Sequence, residues 1–370
     1  MNIYSKLVVL TTTFFLVVIG TAYSQDDESL SPDEQAYRDS IAALNEESAA
    51  VAASQEAYNK GIKLFESGNF SAAIVSFKAS IDSDPNFTAA YYNKGVAEIE
   101  ANKYNDAAKT LTDLIAIDGE YEKVYFQRAQ AYQNTGEYSK AEADYAKAIS
   151  QEPKNPDVYY NFGTLQFLQK DYDGAIKSFT ETIKLKGNVA HAYNDRGSCY
   201  RMKEDYKKAL SDYEEAIRKN PNMAFVLNNM GTTKKRMKNY AGAMADFNRA
   251  ISVDKKFHLA YNNRGATQME QERYNDALND FEKCVEIAPD YAPGYVNIAA
   301  AKFKQEDYKG AITAANKAIE LAPEYASAYV NRGMIKEMLR DMNGACEDWE
   351  KARKLGADAA GSYFSQNCGF

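Results

Sequence analysis

The sequence is poor in the residues that catalyse reactions and hold metals. Its 370 residues include only two histidines and four cysteines. His191 and His258 lie far apart in the chain, and Cys199, Cys284, Cys346 and Cys368 show no CxxC spacing, so zinc frameworks are excluded. No serine, acid or histidine falls into a nucleophile-and-base arrangement, and the scattered carboxylates read as solvated helix faces. No catalytic residue, metal or cofactor is therefore expected. Positive charge is also short, with 44 Lys and Arg against 52 Asp and Glu and a net charge of −8. Duplex nucleic acid, which needs clustered basic side chains, is not an expected partner. After the first twenty-odd residues no apolar run is long enough to cross a bilayer.

That first stretch has its own pattern. Lys6 is its one charged side chain, Leu7 to Ile19 carry no charge, and Gly20 is followed by the small-residue site Ala22-Tyr23-Ser24. The apolar part is short for a membrane span of about 20 residues, so a cleaved secretory signal is expected over 1–24, with Gln25 as the new N-terminus. No cysteine follows to carry a lipid. Removing Lys6 takes the charge from −8 to −9. The expected location is the periplasm or the exterior, where cysteines can oxidise.

What is abundant is repetition. With a ruler of 34 residues laid from Ser54, the eighth place reads Gly61, Gly95, Ala129, Gly163, Gly197, Gly231, Gly265, Ala299 and Gly333. The twentieth is alanine every time, from Ala73 to Ala345. Apolar or aromatic residues at the fourth, eleventh, seventeenth and twenty-fourth places mark two amphipathic helices per repeat. Short polar turns such as Ser67-Gly68-Asn69 separate them, and Pro85, Pro153, Pro221, Pro289 and Pro323 close five repeats. The tiny residues at the eighth and twentieth places let the two helices come close. The reading is an all-α solenoid of nine hairpins over 54–359. Ahead of it, 25–53 are expected to form an acidic stub and a cap helix carrying Tyr37, Ile41 and Leu44, and 360–370 a C-terminal cap.

Segments such as Ala260-Tyr261-Asn262-Asn263-Arg264-Gly265, followed by Tyr274-Asn275-Asp276-Ala277 and Pro289, resemble the tetratricopeptide repeat family. The resemblance implies stacked helical hairpins in a right-handed superhelix, with a concave groove lined by the first helices that binds proteins or peptides. Gly119, Gly187, Lys255 and Ala357 depart from the closing proline. Ala315 replaces an aromatic at the twenty-fourth place, which predicts looser packing in the eighth repeat.

The candidate partner-binding residues lie at two places of the first helices. The sixth reads Asn59, Asn93, Gln127, Asn161, Asp195, Asn229, Asn263, Asn297 and Asn331. Asparagine is a poor helix-interior residue, so its recurrence asks for a reason. An amide both donates and accepts, and such a ladder either grips the backbone of an extended peptide or joins one repeat to the next. The fifth place runs Tyr58, Tyr92, Phe126, Tyr160, then Asn194, Asn228, Asn262, then Val296, Val330. It predicts a groove that passes from aromatic to amide to aliphatic. A lysine there, which would mark a clamp for charged tails, does not occur.

Two structural pairings are also expected. Where the seventh place is Arg128, Arg196, Arg264 or Arg332, the twenty-third is Asp144, Asp212, Asp280 or Asp348; Met230 with Asp246 breaks the rule. A last helix from about Asp341 to Lys354, a turn at Gly356 and a returning helix bring Cys368 level with Cys346, predicting a disulfide. Cys199 and Cys284 should stay reduced. The sequence thus reads as a non-enzymatic scaffold that binds a protein or an extended peptide, placed in an envelope or secretion assembly. A glycan- or small-ligand-binding solenoid, or a regulatory subunit of an envelope enzyme, is the alternative.

Overall fold

The computed structural model describes residues 31–368, so the signal segment at 1–24 lies outside the described residues. The described chain folds into nineteen α-helices and no strand. The first helices of the hairpins are α1 (Pro32–Glu66), α3 (Thr88–Glu100), α5 (Val124–Thr135), α7 (Pro156–Leu168), α9 (Ala190–Met202), α11 (Ala224–Arg236), α13 (His258–Glu270), α15 (Ala292–Lys304) and α17 (Ala326–Met338). Their partners are α2 (Phe70–Ser83), α4 (Tyr104–Ile117), α6 (Tyr138–Gln151), α8 (Tyr172–Leu185), α10 (Tyr206–Lys219), α12 (Tyr240–Val253), α14 (Tyr274–Ile287), α16 (Tyr308–Leu321) and α18 (Met342–Lys354). A last helix, α19 (Asp358–Asn367), follows.

One turn geometry joins every hairpin. The fifteenth place of all nine repeats is left-handed, with φ from 58° at Asn102 to 80° at Gly136. Glycine suits that conformation, yet only Gly68 and Gly136 supply it; the others are Asn102, Lys170, Glu204, Lys238, Glu272, Glu306 and Arg340. The next residue often caps the second helix. Asn69, Asp205, Asn239, Asp307 and Asp341 each accept a backbone N–H three residues on.

In six of the nine hairpins a glycine at the eighth place lies beneath the ring of the twenty-fourth, and in the second Gly95 lies beneath Leu111. A Cβ on Gly231 would stand 2.6 Å from Phe247, and one on Gly163 2.8 Å from Phe179. The helices come close because the missing side chain leaves room for the large one opposite. Where the twenty-fourth place is small, at Ala315, the eighth is Ala299, and both are fully buried. The eighth repeat therefore substitutes one small pair for a ring over a glycine. Gly231→Ala is expected to cost about 1–3 kcal/mol through overpacking, and Phe247→Leu on top should recover part of it. Thermal melts of the two variants check this; equal stability of G231A and the parent would refute it.

Contacts divide the chain after Glu181 into two compact units. In the first, α1 touches α3, α3 touches α5 and α5 touches α7. In the second, α9 touches α11, α11 touches α13, α13 touches α15 and α15 touches α17. No two second helices make comparable contact among the described residues, so the first helices form the inner layer of each unit. Tyrosines at the fourth place tie hairpins together as well: Tyr125, Tyr159, Tyr295 and Tyr329 donate to the carbonyls of Gly119, Pro153, Pro289 and Pro323.

The N-terminus carries no separate cap helix, contrary to the sequence expectation. Residues 32–53 are continuous with the first helix of the first repeat, and Tyr37, Ile41 and Leu44 stand in solvent instead of packing on the array. A capping box starts this helix: Ser31 and Glu34 satisfy each other's backbone N–H groups. Nothing breaks the run of helix formers before Ser67, so no separate cap can turn back. At the other end α19 does cover the last hairpin. Tyr363 stacks on Trp349 at 5.5 Å, Arg353 lies over Phe364, and Cys346 is bonded to Cys368 with the Cα atoms 5.7 Å apart. Cys199 and Cys284 are buried and free; burial pushes the Cys284 thiol up to about 11 and Cys199 to about 12, which leaves both unreactive.

Candidate functional site

The fifth and sixth places do not share the duties that the sequence suggested. The fifth is interior. Tyr58, Tyr92 and Phe126 are buried, with Tyr58 against Phe77 and Phe87, Tyr92 against Tyr121, and Phe126 against Tyr145. Tyr160, partly buried, packs on Phe179. The expected aromatic groove is thus corrected: these rings fill the space between hairpins because the fifth place points along the array towards the next repeat. Asn194, Asn228, Asn262 and Val296 are buried at the same place for the same reason, and Val330 is partly buried.

The sixth-place amides reach back to that interior. Asn229 Nδ2 donates to Asn194 Oδ1 at 3.0 Å, Asn263 to Asn228 at 2.9 Å, and Asn297 to Asn262 at 2.8 Å. Asn331 donates to the carbonyl of Val296 at 3.3 Å. In the first unit Asn93 donates to the Tyr58 hydroxyl at 2.8 Å. Each bond spans 35 residues, one repeat and one place, so the ladder is a row of inter-repeat staples. Burial is the main cause that raises the Tyr58 hydroxyl pKa.

Exposure separates the nine sixth-place residues. Asn93 is fully buried and Gln127 nearly so, which removes both from any open face; large rings at their neighbouring fifth places cover them. Gln127 lies beside the Tyr92 hydroxyl without reaching hydrogen-bond geometry. Asn59 is exposed and accepts from Gln55. Asn161 donates to the Asp157 carbonyl of its own helix, and Asp195 accepts from Asn194. Asn229, Asn263, Asn297 and Asn331 are partly exposed. Each spends one N–H on the staple; its carbonyl oxygen and second N–H make no further bond among the described residues.

The arginines form a second lattice. Arg128, Arg196, Arg264 and Arg332 each grip their aspartate with Nε and Nη2 at 2.5–2.8 Å. Nη1 of three of them reaches the preceding repeat: Arg128 to Thr112, Arg264 to Asn248 and Arg332 to Asn316. A fourth-place tyrosine lies under each guanidinium at 5.5–5.7 Å. The Asp280 hydrogen bond holds the Arg264 charge above its usual range against burial. The exception at Met230 is resolved one turn on, where Lys234 bonds to Asp246 at 2.7 Å. The eleventh place was read as apolar, so this cation was missed; a basic residue four after Met230 was the available signal. In the fourth repeat Ser178 donates instead to Gln166.

Tetratricopeptide repeat models match residues 64–131, 126–188, 190–223, 226–257, 258–291 and 292–325. The chain belongs to the tetratricopeptide repeat family. Among solved structures it is similar to a tetratricopeptide repeat protein from Parabacteroides merdae, at 22% identity and a TM-score of 0.56 over 68% of this chain and 99% of that one. It is also similar to the APC/C hetero-tetramer Cut9–Hcn1, at 13% identity and 0.55 over 85% and 76%. PilF of Pseudomonas aeruginosa matches at 16% identity and 0.50 over 57% and 96%. No curated protein matches the sequence. These tetratricopeptide hairpins make an all-α solenoid whose general work is to bind protein or peptide partners, and no described helix is long and apolar enough to cross a membrane.

Proposed function

We propose that this protein is an exported, non-enzymatic scaffold that holds an extended segment of a partner protein against the first helices of its second unit, in an envelope or secretion assembly. The observation that carries the reading is the half-used amide at Asn229, Asn263 and Asn297. The staple to the preceding repeat fixes each side chain, so its remaining acceptor and donor are held in place before a partner arrives. A peptide backbone offers both complements at every residue, whatever its sequence. The signal-like 1–24 segment supports export, and mass spectrometry that finds Met1 intact on the native protein would remove that part. The buried rings at Tyr58 and Tyr92 count against sugar stacking at those places.

The test must separate stapling from binding. Alanine at Asn229, Asn263 and Asn297 removes both functions, whereas alanine at Asn194, Asn228 and Asn262 removes the staple and keeps the outward amides. Both triple variants should lose stability. With a partner recovered by affinity purification from the native envelope, the sixth-place variant should bind about ten- to a thousandfold more weakly, at roughly 0.5–1.5 kcal/mol for each lost neutral bond. The fifth-place variant should lose much less. Equal losses of affinity in titration calorimetry would mean that the amides only join repeats.

A further inference from the structure

Two arginines of the second unit, Arg201 of α9 and Arg236 of α11, have no carboxylate partner among the described residues, in a chain whose net charge is −8. Arg201 is half-buried, and its Nε is sealed from solvent without a hydrogen bond. A cation so placed is costly without an anion, and the seventh-place arginines each have theirs. The Arg201 guanidinium lies by the Tyr213 hydroxyl, which also meets Ser198 at 3.2 Å and Thr233 of α11. Arg236 stands exposed one turn after Thr233, while Lys235 between them is already bonded to Glu270 at 3.0 Å.

Helical spacing puts the second, sixth, ninth and thirteenth places on one face: on α11 these are Phe225, Asn229, Thr232 and Arg236, all open or partly open to solvent. The amides therefore have two unlike flanks. On one stand Phe225, 37% exposed, with Leu259 and Pro293, and Phe225 lines a cleft of about 600 Å³ with Val253, Asp254 and Phe257. On the other stand Arg201 and Arg236, six and seven residues past the sixth place of their helices, or about 9–11 Å along the axis. Helical side chains lean towards the N-terminus, so both arginines reach back towards the ladder. We propose, on the reading that the amides hold an extended partner segment, that Arg201 and Arg236 take a glutamate side chain of that segment, and that its alternate residues are apolar and face Phe225, Leu259 and Pro293. An extended chain sends successive side chains to opposite sides, which matches the two flanks. The guanidinium fork suits a carboxylate, and Asp254 in the apolar cleft turns a second acid away from that side. Small ninth-place residues, Ser198, Thr232, Ala266 and Ala300, leave the floor between the flanks low enough for a backbone.

The probe is a short acetylated and amidated peptide of alternating serine and leucine, with glutamate, glutamine or lysine replacing the central serine. Titration calorimetry with the whole protein compares the three. The glutamate peptide should bind about tenfold tighter than the glutamine one or better, with lysine weakest, and the preference should shrink in roughly 0.5 M salt. Arg201→Gln with Arg236→Gln should bring the glutamate peptide to the affinity of the glutamine one. Arg236→Gln alone should reduce the preference without moving the melting curve, since that side chain stands in solvent. Equal affinity for the three peptides, lost on N229A/N263A/N297A, overturns the inference and keeps the ladder; failure of all three to bind overturns both. A glutamate preference that survives R201Q/R236Q overturns it as well. So does a glutamine peptide with a free C-terminal carboxylate that binds as tightly as the glutamate one, because the site would then read a chain end.

Discussion

Replacing Asp348 with alanine is expected to destabilise the last repeat by about 3–5 kcal/mol, as removing one partner of a buried ion pair does. The carboxylate is buried and takes Arg332 through two nitrogens at 2.7 and 2.8 Å and Lys336 at 2.9 Å. Its loss leaves two cations, each about one-fifth exposed or less, without an anion between α17 and α18. Arg332 also spans to Asn316 of the preceding repeat, so damage should reach α16. Because repeats unfold with partial independence, amide exchange resolved by helix is the better measure than one melting curve. Faster exchange confined to α16–α19 is the expected result. A change below about 1 kcal/mol would show that the guanidinium turns to water at little cost, as exposed pairs do.

Cutting the Cys346–Cys368 bond should release α19. The bond closes a separation of 22 residues, and in the chain-entropy view such a loop contributes roughly 3 kcal/mol. The readout is built in, because Trp349 is the one tryptophan of the chain and lies fully buried beside Tyr363. Cys368→Ser, or reduction of the parent, should shift its emission to the red and lower the first melting step. Unchanged emission in the reduced protein would mean that packing alone holds the cap. Cys199 and Cys284 should stay silent in thiol labelling of the folded protein, since both are buried.

The repeats were legible because their constraints are local and recur. A glycine at the eighth place and a ring at the twenty-fourth belong to one hairpin, and Arg264 and Asp280 show their dependence as covariation across repeats. The candidate site was legible only in part. Asn93 and Asn229 occupy the same place in the sequence, yet one is sealed and the other half open. The difference arises from the neighbouring fifth place, a bulky Tyr58 or Tyr92 in one unit and a short Asn228 in the other, which a one-position reading does not weigh. Lys234 was hidden because it substitutes for an arginine from one helical turn away. The cap helix was misread because Tyr37, Ile41 and Leu44 report only that a face is apolar, not what covers it.

The fifth place gives the two units different responses to temperature. Between hairpins of the first unit it buries rings, Tyr58, Tyr92 and Phe126; in the second it buries the hydrogen-bonded amides Asn194, Asn228 and Asn262 before turning to the aliphatic Val296. Exposing apolar surface raises the heat capacity of unfolding and exposing polar surface lowers it. The ring seam therefore carries the larger heat-capacity increment per repeat and weakens more on cooling, while the amide seam has a flatter stability curve. A protein built on one backbone plan thus holds two thermal characters, set by a single side chain in each repeat.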